Sequence, residues 1–210
     1  MIRRALLVAA LIALVAAPLV AQAPEGWRVR VDRSQSAQDP DDTPQLKVMT
    51  MGKGFHVTGG PAGTFWNPAN TAMGDFTASA TFRLMKPSGH TNFYGLILGG
   101  GDLEGAKQNY IYFLVAQNGN YLVRHRAGEE VHDVQASTPH QAVRQPGADG
   151  QSTNALEVRV AGNTISYVVN GTVVHTTPKT GMTAKTDGLV GVRINHLLDV
   201  QVDGFQIQKR

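Results

Sequence analysis

The side chains in this sequence that could do chemistry are histidines, amides, aromatics and one arginine: His56, Trp66, His90, Asn92, Tyr94, Tyr110, Tyr112, His125, Arg193, Asn195 and His196. They stand at the ends of alternating apolar runs, or in the Gly- and Pro-rich stretches between them, where loops carry function more often than packing. Aromatic faces cover the apolar face of a pyranose while amide and imidazole groups satisfy its hydroxyls, so the set suits a sugar. Each also has a structural alternative. Trp66 serves equally well in a core, Tyr94 and Tyr112 can pack under loops, and a lone histidine is more often a hydrogen-bonding support than a ligand. His56, His90 and His196 lie in the most polar or Gly-rich contexts and could act as general bases, with Arg193 as an electrostatic clamp whose partner would be Asn195 or a ligand oxygen.

Chemistry that needs a fixed frame is missing. The sequence contains no GxSxG for a serine nucleophile and no HExxH for zinc. Gly52-Lys53-Gly54 lacks the GxxxxGK[ST] frame of a phosphate loop, and Gly99-Gly100-Gly101 lacks GxGxxG; neither opens a helical run. Asp39, Asp41 and Asp42 could offer calcium ligands, but an acidic, Pro-containing stretch reads first as a solvated loop, so no cofactor is expected.

The elements that must position these residues are strands. In Tyr110–Arg126 the Asn118-Gly119 pair divides two apolar runs and predicts a two-residue hairpin that pairs Val115 with Leu122, Phe113 with Arg124 and Tyr112 with His125. That register puts Ile111, Phe113, Val115 and Leu122 on one face, and Tyr110, Tyr112, Leu114, Tyr121, Val123 and His125 on the other. It also points Arg124 and Arg126 toward the core, so the regular portion is expected to end by Val123 and let both arginines reach solvent or pair with Glu129 or Glu130. Further alternation marks Trp27–Val31, Leu46–Met51, Phe55–Val57, Thr64–Trp66, Phe76–Leu84, Tyr94–Leu98, Leu189–Ile194 and Leu198–Ile207, the last with a bulge at Asp203-Gly204. Turns at Gly162-Asn163 and Asn170-Gly171 pair Val160 with Ile165, Val158 with Tyr167 and Leu156 with Val169, and every apolar residue then shares a face. Residues 127–153 read as loops with at most a short strand or helical turn near Val131–Val134 or Pro139–Val143. The whole is an all-β sandwich of antiparallel sheets.

Arg3 and Arg4 precede an apolar run to Val20, and Ala21-Gln22-Ala23 offers a peptidase site, so residues 1–23 are expected to be a signal peptide and 24–210 a single domain. Cleavage takes two arginines away: Lys+Arg falls from 19 to 17 against 16 Asp+Glu, and the formal charge drops from +3 to +1. Neither nucleic acid nor, after leader removal, a membrane is an expected partner. With no cysteine the exported domain has to hold together by its core alone.

The segments FTASATFRL, YGLILGG, YIYFLV with YLVRHR, LEVRVAGNTISYVVNG, GLVGVRI and LDVQVDGFQI, in that order, resemble the concanavalin A-like jelly roll in its laminin-G-like and 3-keto-disaccharide-hydrolase-like branches. FHVTGGPAG and RINHLLDVQVDGF are similar to segments of small uncharacterised exported bacterial proteins. The resemblance implies a concanavalin A-like lectin or glucanase fold outside the cytoplasm, periplasmic or secreted. Glucanases of this kind carry an ExDxxE frame, which is absent here: Glu104, Glu129, Glu130 and Glu157 are scattered. The expected function is therefore carbohydrate binding, with a glycan or sugar-like small molecule meeting the Tyr112 and His125 face. Two alternatives stand beside it: a hydrolase or lyase acting on a keto sugar through a histidine base, and a structural or adhesive module that binds protein.

Overall fold

The computed structural model describes residues 23–32, 42 and 45–209. Residues 1–22 of the expected leader, and Asp39 and Asp41 of the acidic loop, lie outside them. Among the described residues there are fourteen strands: β1 (Arg28–Asp32), β2 (Lys47–Met51), β3 (Gly54–Thr58), β4 (Ala62–Ala72), β5 (Phe76–Lys86), β6 (Phe93–Gly101), β7 (Asn109–Ala116), β8 (Asn120–Ala127), β9 (Glu130–Pro139), β10 (Ser152–Ala161), β11 (Thr164–Val169), β12 (Thr172–Pro178), β13 (Gly188–Ile194) and β14 (Asp199–Lys209). They form two seven-stranded antiparallel sheets, the first in the order β1-β4-β13-β6-β7-β8-β9 and the second in the order β12-β11-β10-β5-β14-β3-β2.

The alternation of small and large apolar residues explains the sandwich. On β5 the side chains of Phe76, Ala78, Ala80, Phe82 and Leu84 are all buried, and those between them face outward. Opposite them, Tyr94, Leu96, Leu98, Ile111, Phe113, Val115, Val192 and Ile194 supply the inner face of the first sheet. Each such residue contributes about 1.5–3 kcal/mol on burial, which is how a chain without disulfides is held. The predicted pairs Val160–Ile165, Val158–Tyr167 and Leu156–Val169 are all present. Asn170 and Gly171 both take positive φ, 50° and 83°, as a type I′ turn requires, and the bulge in β14 falls between Asp203 and Gln206.

The central hairpin differs from its expected register by one residue. β7 and β8 are joined by three residues, Gln117–Gly119, and Val115 pairs with Tyr121, Phe113 with Val123, Tyr112 with Arg124 and Ile111 with His125. Here only Gly119 has positive φ, 85°, and its N–H donates to the Ala116 carbonyl, so the link is a type I turn closed by a left-handed glycine. Gln117 accounts for the choice: its amide donates to the Ser88 and His90 carbonyls and accepts from the Ser88 N–H, and as a turn residue it ties this hairpin to the β5–β6 loop. A one-residue slip exchanges the faces of β8. Tyr121 and Val123 join the core, Leu122 moves to the opposite face, and Arg124 and Arg126 avoid the interior by register, with pairing unbroken to Ala127.

β9 is the second difference. Residues 130–139 form a ten-residue strand where loops with at most a short strand or helical turn near Val131–Val134 were expected, because an edge strand needs no continuous apolar face and carries polar residues that discourage further pairing.

The two residues of the Asn118-Gly119 turn should respond differently to substitution, because only Gly119 is left-handed. Gly119→Ala should cost about 1–2 kcal/mol, the penalty of left-handed backbone. Asn118→Gly should destabilise by about 0.4–1 kcal/mol, because it adds unfolded-chain freedom at a position with ordinary φ. Urea denaturation of the two variants measures both; a stabilising Asn118→Gly would contradict the turn assignment.

Candidate functional site

The first sheet is apolar on its outer face as well. Trp66, Ile97, Tyr110, Tyr112, Leu114 and Leu122 cluster there, and Leu103 of the β6–β7 loop folds onto them. Beside this cluster lies a polar group drawn from four strands. Arg30 and Asp32 come from β1, Thr64 from β4, Arg193 from β13 and Tyr110 from β7. Arg193 Nη1 donates to Asp32 Oδ2 at 2.6 Å, Thr64 Oγ1 at 2.9 Å and the Tyr110 hydroxyl at 3.1 Å, and its guanidinium carbon stands 5.8 Å from the Tyr112 ring centre. Arg30 Nε donates to the other oxygen of Asp32 at 2.9 Å, and its Nη1 donates to the Gly105 carbonyl at 2.8 Å. With its side-chain amide oriented to accept, Gln108, fully buried, takes hydrogen bonds from Arg30 at 3.0 Å and Arg126 at 3.2 Å. The β6–β7 loop is thus fastened over the sheet by arginines from two strands.

The charges here are interdependent. Burial alone would raise the Asp32 pKa, but the charge and hydrogen bond of Arg193, with help from Arg30 and Arg126, hold it below the usual carboxylate value. Burial likewise opposes the charge on Arg193, and Tyr110 and Asp32 more than offset it, so the guanidinium stays charged. Burial pushes the Tyr112 hydroxyl up and keeps it neutral. At the solvent side of the face, Arg124, cross-strand neighbour of Tyr112, donates to Asp133 of β9 at 2.5 Å, while Arg126 lies 3.6 Å from Glu129.

The residues expected to form a site do not all meet. Tyr112, Trp66 and Arg193 share the outer face of the first sheet, and Arg193 finds its partner in Asp32, not Asn195. His125 turns to the opposite face because of the hairpin register; its ring lies 6.1 Å from that of His132, its Nε2 faces the Asn109 amide at 3.2 Å, and burial followed by His132 lowers its pKa. Tyr94 is fully buried between the sheets, its hydroxyl accepting from Asn154 at 3.3 Å, so the position read as ligand-facing is a core position. His56 projects from the outer face of the second sheet, where Phe55 and Val57 point inward, and bonds to Asp199. His90 sits in the β5–β6 loop against Asn92, 3.0 Å from its amide. Asn195 and His196 form the β13–β14 turn; Asn195 Oδ1 and His196 Nδ1 are buried and unpartnered. His56 and His90 therefore have separate hydrogen-bond partners, and among the described residues no group of three His, Asp or Glu side chains is placed to hold a metal. Glu157 points outward and is chelated by Arg159 at 2.9 and 3.0 Å.

Comparison with solved structures settles what this two-sheet arrangement is. The carbohydrate-binding module CBM66 from Bacillus subtilis superposes with a TM-score of 0.61 at 9% identity, over 88% of this chain and 96% of that one. The fold is a concanavalin A-like jelly roll. A jelly roll of the same kind occurs in the Emp46p carbohydrate recognition domain, with a TM-score of 0.59 at 15% identity over 87% and 88% of the two chains. It occurs also in a Bacteroides ovatus GH16 mixed-linkage glucan protein, with 0.59 at 10% over 89% and 96%. No family model matches the chain, and no curated protein matches it. Sequence reasoning missed Asp32, Arg30, Gln108 and Asp133 on this jelly roll's outer face, and it expected of Arg124 and Arg126 only that they reach solvent or a carboxylate, as they do at Asp133 and Glu129. The alternation Arg28, Arg30, Asp32 along β1 was the signal available, a charged face that reads as solvent until β13 delivers Arg193 to it.

Asp32 should make the protein acid-sensitive. A depressed folded-state pKa contributes stability that is complete above the unfolded value near 3.9 and is lost as pH falls through the lower folded value. Asp32→Asn should remove about 3–5 kcal/mol at neutral pH and flatten the acid limb of the stability curve, measured by urea midpoints from pH 7 to pH 2. An unchanged acid limb would remove Asp32 from this role.

Proposed function

We propose that this jelly roll is an exported carbohydrate-binding domain without glycosidase chemistry, and that it binds along the outer face of the first sheet. The observation that carries this reading is the cross-strand row Tyr112, Arg124, Asp133 standing beside the Asp32–Arg193 pair. Arg124 and Asp133 retain 36% and 50% side-chain exposure, so they present a donor and an acceptor to solvent while the buried network behind them keeps the backbone of the face fixed. A guanidinium and a carboxylate held side by side match the two hydroxyls of a sugar diol, one accepting and one donating. The folds of a carbohydrate-binding module and a carbohydrate recognition domain support the reading at the level of scaffold, as does the resemblance of the sequence to exported bacterial proteins.

The keto-sugar hydrolase reading would need imidazoles to converge with Arg193, and His56 and His90 instead engage separate partners. An adhesive, protein-binding role would call for a broad exposed apolar patch; the exposed large apolar residues among those described, such as Met49, Met73 and Met182, are dispersed over different strands and turns.

A glycan array probed with the purified protein tests the proposal. Arg124→Ala and Asp133→Ala should each weaken the best signal by about tenfold, the loss of one charge-assisted pair of hydrogen bonds. His125→Ala, on the opposite face, should leave it unchanged. Binding to no glycan, or loss on His125→Ala alone, would overturn the assignment.

A further inference from the structure

Of the eight arginines among the described residues, six face a carboxylate: Arg28 meets Glu104, Arg30 and Arg193 meet Asp32, Arg124 meets Asp133, Arg126 meets Glu129 and Arg159 meets Glu157. The two that do not, Arg83 and Arg144, line the same depression. It has a volume of about 370 Å³ and lies between β5, the β9–β10 loop and the start of β10, remote in the fold from the Arg193 network. A second hollow of about 470 Å³, beside the β7–β8 turn, adjoins it and shares Arg144 and Gln145. Both volumes fall in the range of small-molecule sites, roughly 300–1,000 Å³.

The loop that carries Arg144 is built to hold it still. Asn154 grips its backbone at both ends, accepting from the Arg144 N–H at 2.8 Å and donating to the Arg144 carbonyl at 3.0 Å. Asn170 donates to the Ala142 carbonyl, the Ala142 N–H donates to His140 Nδ1, and Val143 anchors in the core. The guanidinium itself extends to solvent, and among the described residues it has no side-chain partner. Across the depression Arg83 donates to the Gln151 amide oxygen at 2.8 Å, its one side-chain partner among the described residues. The one carboxylate in the lining, Asp149, is turned to its own loop and accepts the Gln151 N–H at 3.0 Å.

Two unneutralised guanidinium forks on an ordered surface, flanked by the Gln145 and Gln151 amides, form a site for a planar oxyanion carried on a hydroxylated body. We propose that this depression is a second saccharide site, specific for the carboxylate of a uronic acid. That the ligand is a sugar rests on the function proposed above; that the site reads an anion rests on the arginines alone.

Amide shift mapping of the purified protein with galacturonate, galactose and sodium sulfate tests it. Galacturonate should move the amides of Arg83, Arg144, Gln145 and Gln151 at concentrations where galactose leaves them still. Arg144→Gln and Arg83→Gln should each weaken that response about tenfold, and both residues are surface-exposed, so the fold should survive. Sulfate should act more weakly than galacturonate, having no hydroxylated ring to meet the amides. Equal shifts with galactose, sulfate as effective as galacturonate, no shifts at these amides, or a response indifferent to both variants would each overturn the proposal. Shifts at Tyr112 and Arg124 report the first-sheet face separately, so failure of one site is distinguishable from failure of the other.

Discussion

The pairing of Arg193 with Asp32 is the constraint on which the outer face of the first sheet depends. A guanidinium placed on the exposed side of a strand would ordinarily snorkel to water, but here the β6–β7 loop closes over it and leaves it 9% exposed. Desolvating that charge costs several kcal/mol unless it is paired and hydrogen-bonded, and around Nη1 the fold supplies a carboxylate from β1, a hydroxyl from β4 and a phenol from β7. Those three contacts bring strands from opposite parts of the sheet to one point. Arg30 and Gln108 extend the same network to the loop, so the covering segment and the charge it covers stabilise each other.

Functional consequences follow from what that network leaves free. With Arg193 and Asp32 committed to each other, the polar groups still open to a ligand are those at the β8–β9 side, and the Tyr112 ring is held in place between the two regions. The face thereby acquires preorganisation, which would lower the entropy cost of the carbohydrate binding proposed above. Among the described residues the second sheet offers no comparable network. Its outer face carries His56 with Asp199 and Arg159 with Glu157, both local pairs between neighbouring residues on the surface.

The fold was legible wherever turn chemistry and alternation agreed, as in β10 and β11, where the turns and six apolar residues specify one register. It was less legible where one turn admits two loops. Asn118-Gly119 is compatible with a two- or a three-residue link, and the choice was made by Gln117 reaching Ser88, twenty-nine residues away, a contact that no local pattern contains. That single residue decides whether His125 or Arg124 stands beside Tyr112. β9 was legible only as a short strand or helical turn near Val131–Val134, because its residues, as an edge strand, lack the apolar alternation by which strands are recognised. The site was only partly legible for the same reason: Tyr112, Trp66 and Arg193 could be picked out by type, but Asp32 lies 161 residues before its partner and on a strand whose charged face looked solvated.

A double-mutant cycle between Asp32→Asn and Arg193→Met, read by urea denaturation at neutral pH, tests the account most directly. Removing Asp32 strands the buried Arg193 and removing Arg193 leaves Asp32 with Arg30 alone, whereas removing both leaves only the partly exposed Arg30, which keeps the Gly105 carbonyl, so the two changes should be strongly non-additive. A coupling above about 1.5 kcal/mol is the expected result. Additive effects, with each single change costing less than about 1 kcal/mol as exposed ion pairs do, would contradict the claim that this pair organises the face.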